Sequence, residues 1–243
     1  MRILLFTLYA PMASFGEIAV GERRMSWARP SRSAIMGLVA AAKGLDRSDE
    51  ASHRALEASL FYAVRTDAPG RSMIDYHTAQ APKARKGRTF ATRQEELEPD
   101  DLNTVLSTRE WLTDACFTVA LWARPNAEAD LDGIAEALRH PHFTLYAGRK
   151  SAPLGLPLNP AIVEADTFES ALDTHQPSEE ERAVVAAAHS GSAWEGELAF
   201  DHDAPGAPEE ARIERRRDAV VSRSRWQFSD RLEGVVSNQA SDS

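Results

Sequence analysis

The chain has 243 residues, 43% hydrophobic and 27% charged, with a formal net charge of −9. These values fit a soluble globular protein of one large or two small domains, and the acidic total argues against a nucleic-acid-binding protein. The single cysteine, Cys116, lies in an apolar run, which indicates a buried thiol and excludes disulfide scaffolds and thiolate zinc sites. Because no apolar run approaches about 18 residues and no signal peptide precedes the first strand, we expect a cytoplasmic protein without membrane contact.

The first 150 residues show alternating strand and helix patterns. The predicted strands are 2–9, 60–65, 116–123 and 143–147, and the predicted helices are 30–44 and 130–139. Ser31 or Ser33 can cap the first helix and Gly44 can end it, while residues 67–70 (DAPG) predict a turn. A β-α-β unit, an insertion and a second β-α-β unit predict an α+β fold with a ferredoxin-like, RNA-recognition-type domain at 1–150.

The remainder of the chain is less regular. A helix is predicted over 178–189, beginning at a capping box formed by Ser178 and Glu181. We expect a small, mostly-β C-terminal domain at 151–232 and a disordered tail at 233–243.

Charge is distributed unevenly along the chain. Residues 164–210 contain thirteen acidic residues and one basic residue, Arg182, so this span has a net charge of −12. Since the whole chain has a net charge of −9, the remaining residues together have a net charge of +3. Of the 28 basic residues, 24 are Arg, whose planar fork suits phosphate oxygens, although a GC-rich genome would give the same excess. The sequence therefore indicates a weakly basic body with an acidic segment.

The insertion at 76–109 is the most informative segment. Residues 76–94 contain no acidic residue and five basic ones: Lys83, Arg85, Lys86, Arg88 and Arg93. A basic finger bearing aromatic residues can follow a phosphate backbone, because each cation displaces condensed counterions. Thr89 and Thr92 fit one strand of a hairpin, and Tyr76 and Phe90 could stack on bases. The alternative is a solvated loop with incidental charge.

Three other places combine cations with groups that suit an anion. The first is the basic loop before the first helix, together with the free backbone N–H groups at the start of that helix. The second is the strand end that leads into the Gly148 turn. The third is the Arg-rich stretch 212–231, where aromatic residues alternate with Arg, which indicates a strand that contacts a partner. The candidate RNA-binding residues at these places are Arg23, Arg24, Ser31, Arg32, Ser33, Arg149, Lys150, Arg223 and Arg225. The alternatives are an ordinary capped helix and a solvated charged face.

Catalytic signatures are weak, so we expect no catalytic residue, no metal and no cofactor. The seven His show no metal-ligand spacing, and Asp201 and Asp203 around His202 make a poor metal site. Only Tyr76 and His77, at the base of the finger, could support metal-free RNA cleavage, which needs a base for the 2′-hydroxyl and an acid for the leaving oxygen. A metal-independent endoribonuclease is therefore the alternative function.

Six segments together are more specific than any of these motifs. They are Leu8–Gly16, Arg29–Leu38, Asp75–Gln80, Thr108–Asp114, Leu145–Pro153 and Arg217–Phe228. In this order, from residue 1 to about 232, the sequence resembles the CasD family, the Cas-five-type subunit of the type I-E CRISPR Cascade complex.

The resemblance implies a RAMP-type, ferredoxin-like domain with a β-hairpin thumb at 76–109 and a small C-terminal domain. It implies a non-catalytic subunit that binds and caps the 5′ handle of CRISPR RNA (crRNA) in antiviral defence, since a separate subunit cuts the precursor in such systems. The implied partners are crRNA, the backbone subunit CasC and the large subunit CasA, with indirect contact to target DNA left open. An assembly subunit with little RNA contact is the remaining alternative. The acidic span 164–210 departs from the RNA-contact motifs of the resembled family, so we expect it on the outer face.

Overall fold

The computed structural model describes residues 1–16, 21–83, 87, 89–188, 196–225 and 227–237. The strands are β1 (Arg2–Ala13), β2 (Phe15–Gly16), β3 (Arg23–Arg24), β4 (Ser26–Trp27), β5 (Leu60–Ala68), β6 (Arg71–Pro82), β7 (Leu102–Ala123), β8 (Ala161–Glu164), β9 (Glu197–Asp201), β10 (Arg212–Ser222) and β11 (Gln227–Ser237). The helices are α1 (Arg32–Ala42), α2 (Glu50–Ser59), α3 (Arg93–Leu97), α4 (Leu131–Arg139), α5 (Phe168–Asp173) and α6 (Glu179–Ala188).

A large antiparallel sheet organises this mixed α/β fold. Its strand order within the described residues is β10-β11-β9-β5-β7-β1-β8, and β3 and β6 pair with β7 outside that path. The buried central strands alternate side chains between two faces. Leu4 and Phe6 of β1 belong to the apolar core under α1 and α4, whereas Ile3 and Leu5 pack with α5. Both faces of the central sheet are therefore covered.

Several local predictions are confirmed. The Ser31 hydroxyl accepts a hydrogen bond from the Ala34 amide at 3.1 Å, which caps α1, and Gly44 follows the helix at a φ of +74°. The capping box at the start of α6 is present, because the Glu181 amide donates to the Ser178 hydroxyl and the Glu181 carboxylate accepts from the Ser178 amide. Cys116 is buried, and burial raises the pKa of its thiol.

The strand predicted at 143–147 is wrong. Within it, only Tyr146 makes a β-bridge, to Pro153, and β8 instead lies beside β1 at the edge of the sheet. The reason is that the backbone here forms hydrogen bonds with a helix instead of a strand. The amides of His142 and Phe143 donate to carbonyl groups of the last turn of α1. Sequence reasoning also missed α2, whose composition is largely polar.

The turn predicted at 67–70 is also wrong, because the chain continues in the same direction. Both β5 and β6 run antiparallel to β7, so β6 prolongs β5 beyond a bend. At the bend, Gly70 has a φ of +71° and Asp114 a φ of +55°. A Cβ on Gly70 would lie 2.4 Å from the Thr113 carbonyl oxygen, so only glycine fits.

We call the projecting part of this hairpin the arm: β6 and residues 102–113 of β7. Its ladder runs from the pair Arg71 and Thr113 to the pair Pro82 and Leu102. Thr89 and Thr92 were expected on a hairpin strand, but Thr92 instead caps α3 near the end of the arm. The strands of the hairpin thus begin before, and end after, the predicted insertion.

The C-terminal segment contributes to the same sheet, since β9 pairs with β5 and β11 pairs with β9. The disordered tail was predicted from residue 233, which is wrong for 233–237: these residues belong to β11, and Glu233 is fully buried. Residues 238–243 lie outside the described residues. No helix of the described chain is long and apolar enough to cross a membrane.

Candidate nucleic-acid interface

The arm carries solvent-exposed aromatic and polar side chains on its two faces. Residues directly opposite each other in an antiparallel pair share a face, so Tyr76 lies beside Thr108, and Asp75 beside Arg109 on the other face. Tyr76 is 63% exposed, and His77 contacts the Asp75 carboxylate through Nε2. An exposed tyrosine on a rigid strand is a platform on which a nucleobase can stack.

The base of the arm brings a second strand alongside β7. The short strand β3 runs parallel to β7, which places Arg23 beside Thr108 and Arg24 beside Arg109. The Thr108 amide donates to the Glu22 carbonyl at 2.9 Å, fixing this pairing. Adjacent strands are about 4.8 Å apart, so the cationic residues Arg24 and Arg109 are immediate neighbours.

A tight turn delivers a third cation to the same place. Gly148 has a φ of +83°, and a Cβ there would lie 1.9 Å from the Ser14 carbonyl oxygen, so the turn requires glycine. The next residue, Arg149, places its guanidinium over the Trp111 ring at 4.7 Å and donates through Nη2 to the Arg24 carbonyl at 3.1 Å. Lys150 follows and is exposed.

We call Arg24, Arg109 and Arg149 the arm-base arginines. Burial lowers the pKa of Arg149, and the neighbouring charges of Arg109 and Arg24 lower it further, while Asp75 opposes them. The buried Arg109 Nε and Arg149 Nη1 have no hydrogen-bond partner among the described residues. The arm base therefore gathers three cationic residues, and two of their buried donor atoms lack acceptors within the described part of the chain.

The predicted helix-start site has a different character. The Ser31 hydroxyl caps α1 and lies 3.0 Å from the Ser33 hydroxyl, while Arg32 donates through Nε to Asp201 at 3.1 Å. Arg32 Nη2 also donates to the backbone carbonyls of Glu57 and Leu60, at 2.6 and 2.9 Å. These contacts favour the capped-helix alternative, since Arg32 joins α1 to the sheet and its donors are occupied.

The other predicted cations lie apart from the arm-base arginines. Lys83, at the end of β6, is 3.9 Å from the Asp101 carboxylate, and Arg85, Lys86 and Arg88 lie outside the described residues. Arg223 donates to Glu57 at 3.0 Å and contacts Gly37, which places it against α1 and α2. The Arg225 side chain is exposed in the same loop.

Part of the Arg-rich stretch is structural. Arg216, which is buried, and Arg231, which is partly buried, surround Glu233 together with Arg29. Glu233 Oε2 lies 2.8 Å from Arg29 Nη2 and 3.3 Å from Arg216 Nη1. Burial would raise the pKa of Glu233, but Arg231, Arg216 and Arg29 together lower it. We call this group the buried ionic network. Its further acidic members are Glu197, Asp201, Glu214 and Asp218.

The expectation that the acidic span 164–210 lies on the outer face is wrong for two of its members. Asp201 is 3% exposed and Glu181 1% exposed. Asp201 and Asp203 do not form a metal site, because their carboxylates bind Arg124 at 3.2 and 2.8 Å. No group of side chains in the described part of the chain could hold a metal ion.

Comparison with known proteins identifies the family. A family model described as CRISPR-associated protein (Cas_Cas5) matches residues 3–232. This chain belongs to the Cas5 family. The CRISPR system Cascade subunit CasD of Escherichia coli is 31% identical over 182 residues, which are 72% of this chain and 77% of that relative. The resemblance noted in the sequence is thus confirmed at the level of the family.

Two solved structures resemble this Cas5-family chain along nearly its whole length. A chain of a CRISPR RNA-guided surveillance complex superposes with a TM-score of 0.67 and 26% identity, covering 97% of this chain and 90% of that one. A crystal structure of a Cas protein superposes with a TM-score of 0.58 and 26% identity, covering 97% and 95%. The fold of this chain is therefore also found in a chain of a CRISPR RNA-guided surveillance complex.

Proposed function

We propose that this chain is a non-catalytic, RNA-binding subunit of a Cascade-type CRISPR surveillance complex, and that it holds the 5′ handle of crRNA. The observation that carries the proposal is the arm base, where Arg24, Arg109 and Arg149 lie close together and the buried Arg109 Nε and Arg149 Nη1 have no acceptor among the described residues. The names of the relatives, a Cascade subunit and an RNA-guided surveillance complex, support the same assignment. The partners would then be crRNA, CasC and CasA, in the cytoplasm.

The topology supports a ferredoxin-like assignment with the arm as its thumb. The strands β5-β7-β1-β8 are neighbours in that order, with α1 following β1 and α4 following β7 along the chain. In the RNA-recognition fold the open sheet face binds bases. Here that face is covered, since Phe168 and Leu172 of α5 pack on it. RNA contact therefore falls to the arm and its base.

The arm base and the aromatic residues of the arm are proposed to contact different parts of the RNA. Guanidinium groups at the arm base fix backbone phosphates, which sets the position of the RNA without reading its sequence. Single-stranded handle bases stack on aromatic side chains such as Tyr76 or Phe90. Lys83 and the basic residues that follow it in the sequence add positive charge that can attract the phosphate backbone.

The proposal is tested by removing the finger cations. Replacement of Lys83, Arg85, Lys86 and Arg88 with Ala should weaken binding of crRNA and flatten its salt dependence, because fewer counterions are released. The measurement is a filter-binding salt series. A matched control replaces four exposed arginines elsewhere: Arg54, Arg139, Arg212 and Arg215. Unchanged affinity and slope in the finger variant would contradict the assignment.

The endoribonuclease alternative has one contact in its favour, the pairing of His77 with the Asp75 carboxylate, since a carboxylate can orient a general base. Incubating the purified chain with repeat RNA tests it. Cleavage that His77→Ala abolishes would overturn the non-catalytic assignment.

A further inference from the structure

The guanidinium of Arg109 is flanked by another cation and by an acid that does not neutralise it. Arg24 is its neighbour on β3, and Asp75 is its neighbour on β6. The Asp75 carboxylate, however, contacts His77. Among the described residues, Arg109 forms no ion pair within 4.0 Å, and its buried Nε has no acceptor. A positive group therefore sits in the ladder without a counter-charge.

Arg149 is held rigidly beside it. The Trp111 ring supports its guanidinium at 4.7 Å, and the Arg24 carbonyl accepts from its Nη2 at 3.1 Å. These contacts leave the buried Nη1 without an acceptor. A stacked guanidinium has little freedom to turn, so Nη1 is preorganised for a ligand.

This arrangement does not benefit the free protein. Like charges on neighbouring strands repel, and a buried donor without an acceptor destabilises the folded chain. The buried ionic network shows that this chain can surround arginine with carboxylates. Arg216 Nε and Arg231 Nη1 in that network also lack hydrogen-bond partners, but carboxylates neutralise both guanidinium groups. Arg109 and Arg149 combine unpaired buried donors with the absence of any carboxylate within 4.0 Å among the described residues, and this combination indicates a ligand that supplies both acceptors and negative charge.

We infer that the arm-base arginines form a pocket for one phosphodiester group of the bound RNA. Arg109 Nε and Arg149 Nη1 donate to its non-bridging oxygens, Arg24 adds charge from β3, and Trp111 orients Arg149. The inference rests on the proposed function and goes further, because it assigns a single phosphate to a single recess. Arg109 and Trp111 were not among the residues selected from the sequence.

A phosphodiester fits the recess better than a carboxylate of a partner protein. Arginines from three chain segments meet there, and the tetrahedral phosphate can accept from several directions at once. The exposed Tyr76 lies on β6, next to the same segment of β7, and offers a base-stacking surface close to this phosphate.

The decisive experiment combines Arg109→Gln with RNA that carries one neutral methylphosphonate, moved position by position along the 5′ handle. Affinity is measured for each combination by filter binding. With the unmodified RNA, Arg109→Gln should weaken binding at least about tenfold, the effect of losing hydrogen bonds to a charged group. One methylphosphonate position should weaken the wild-type chain similarly and add no further loss in the variant. Arg215→Gln, an exposed change of the same kind on β10, should leave every affinity unchanged.

The outcomes separate the pocket from the function. If RNA binds but no position is coupled to Arg109, the pocket is wrong and the proposed function stands. If crRNA does not bind at all, the proposed function fails first. If Arg109→Gln keeps full RNA affinity but fails to assemble with the other subunits, the recess holds an acidic protein group, which overturns the inference.

Thermal unfolding of the free chain guards against a folding defect. Arg109→Gln should melt at or above the wild-type temperature, since it removes like-charge repulsion, and inorganic phosphate should raise the melting temperature of the wild type more than that of the variant. A strongly lowered melting temperature without phosphate would show that Arg109 stabilises the fold, which contradicts the inference.

Discussion

Two groups of arginines in this chain differ in what surrounds them. In the buried ionic network, the guanidinium of Arg29 alone meets three carboxylates, those of Glu197, Glu214 and Glu233. At the arm base, Arg109 has no carboxylate within ion-pair distance in the described structure, although Asp75 is its neighbour in the ladder. The residue type is the same, but the first group is neutralised within the chain and the second is not.

The difference shows why an acidic net charge is compatible with the proposed RNA binding. Several arginines neutralise buried acids, whereas those without a carboxylate partner among the described residues form the proposed binding surface. Net charge and residue counts average over both groups. Whether an arginine pairs with a carboxylate depends on contacts between residues remote in sequence. Those contacts therefore decide which arginines are available to bind a phosphate.

The largest effect is expected from breaking the buried network. Glu233→Gln should lower the free energy of unfolding by about 3–5 kcal/mol, because it leaves buried guanidinium groups without their shared carboxylate. Urea denaturation measures this loss. Asp230→Asn, which removes an exposed carboxylate 3.8 Å from Arg215, should change stability little. A stable Glu233→Gln chain would show that the network is not structural.

At the arm base, displacing Arg149 should affect RNA binding more than stability. Gly148→Ala places a Cβ 1.9 Å from the Ser14 carbonyl at a positive φ, so the turn must shift. We expect crRNA affinity to fall about tenfold and the free energy of unfolding by about 1–3 kcal/mol. Gly16→Ala is the control, because no atom lies within 4 Å of the added Cβ. Full affinity in Gly148→Ala would remove Arg149 from the interface.

A neutral contact on the arm should have a smaller effect. Tyr76→Ala should weaken crRNA binding by about 1–3 kcal/mol if one base stacks on the ring. Tyr76→Phe should bind normally, since the ring is retained. Because Tyr76 is 63% exposed, neither change should alter thermal stability appreciably. Equal binding by the Ala and Phe variants would exclude stacking at this position.

The smallest effect on stability near neutral pH is expected from protonation of Glu233. The pKa of Glu233 is lowered in the folded chain from an ordinary value of 4.5, so the network stabilises fully above that value and loses its contribution as pH falls through the folded pKa. Urea denaturation between pH 7 and about pH 3 should therefore show a decline confined to the acidic end. Glu233→Gln should lack this part of the decline; an equal decline in the variant would assign it to other groups.

Elements with a strong local signal could be predicted from the sequence. The helices α1 and α4 and the core of β1 follow from apolar periodicity and capping residues, and all three are present. Residues 67–70 look like a turn but form a bend, because pairing of both flanking strands with β7 outweighs the local Pro-Gly preference. The apolar run at 143–147 has the composition of a strand, yet the amide at its start donates a hydrogen bond to the last turn of α1.

The site shows the same division. Arg24 and Arg149 were selected for their local setting, a basic loop and a glycine turn. Arg109 was missed because only the parallel pairing of β3 with β7 makes it a neighbour of Arg24. Arg32 could not be recognised as structural, since its partner Asp201 is remote in sequence.

The arm is a direct continuation of two central strands, and this continuity constrains how its length can vary. Its ladder joins twelve residue pairs, a reach of about 40 Å. Because side chains alternate with a period of two, removing one residue from each strand would exchange its faces. Removal of two from each would keep the faces and shorten the reach by about 7 Å. The reach of such an arm can therefore be adjusted in discrete steps while the residues at its base keep their positions.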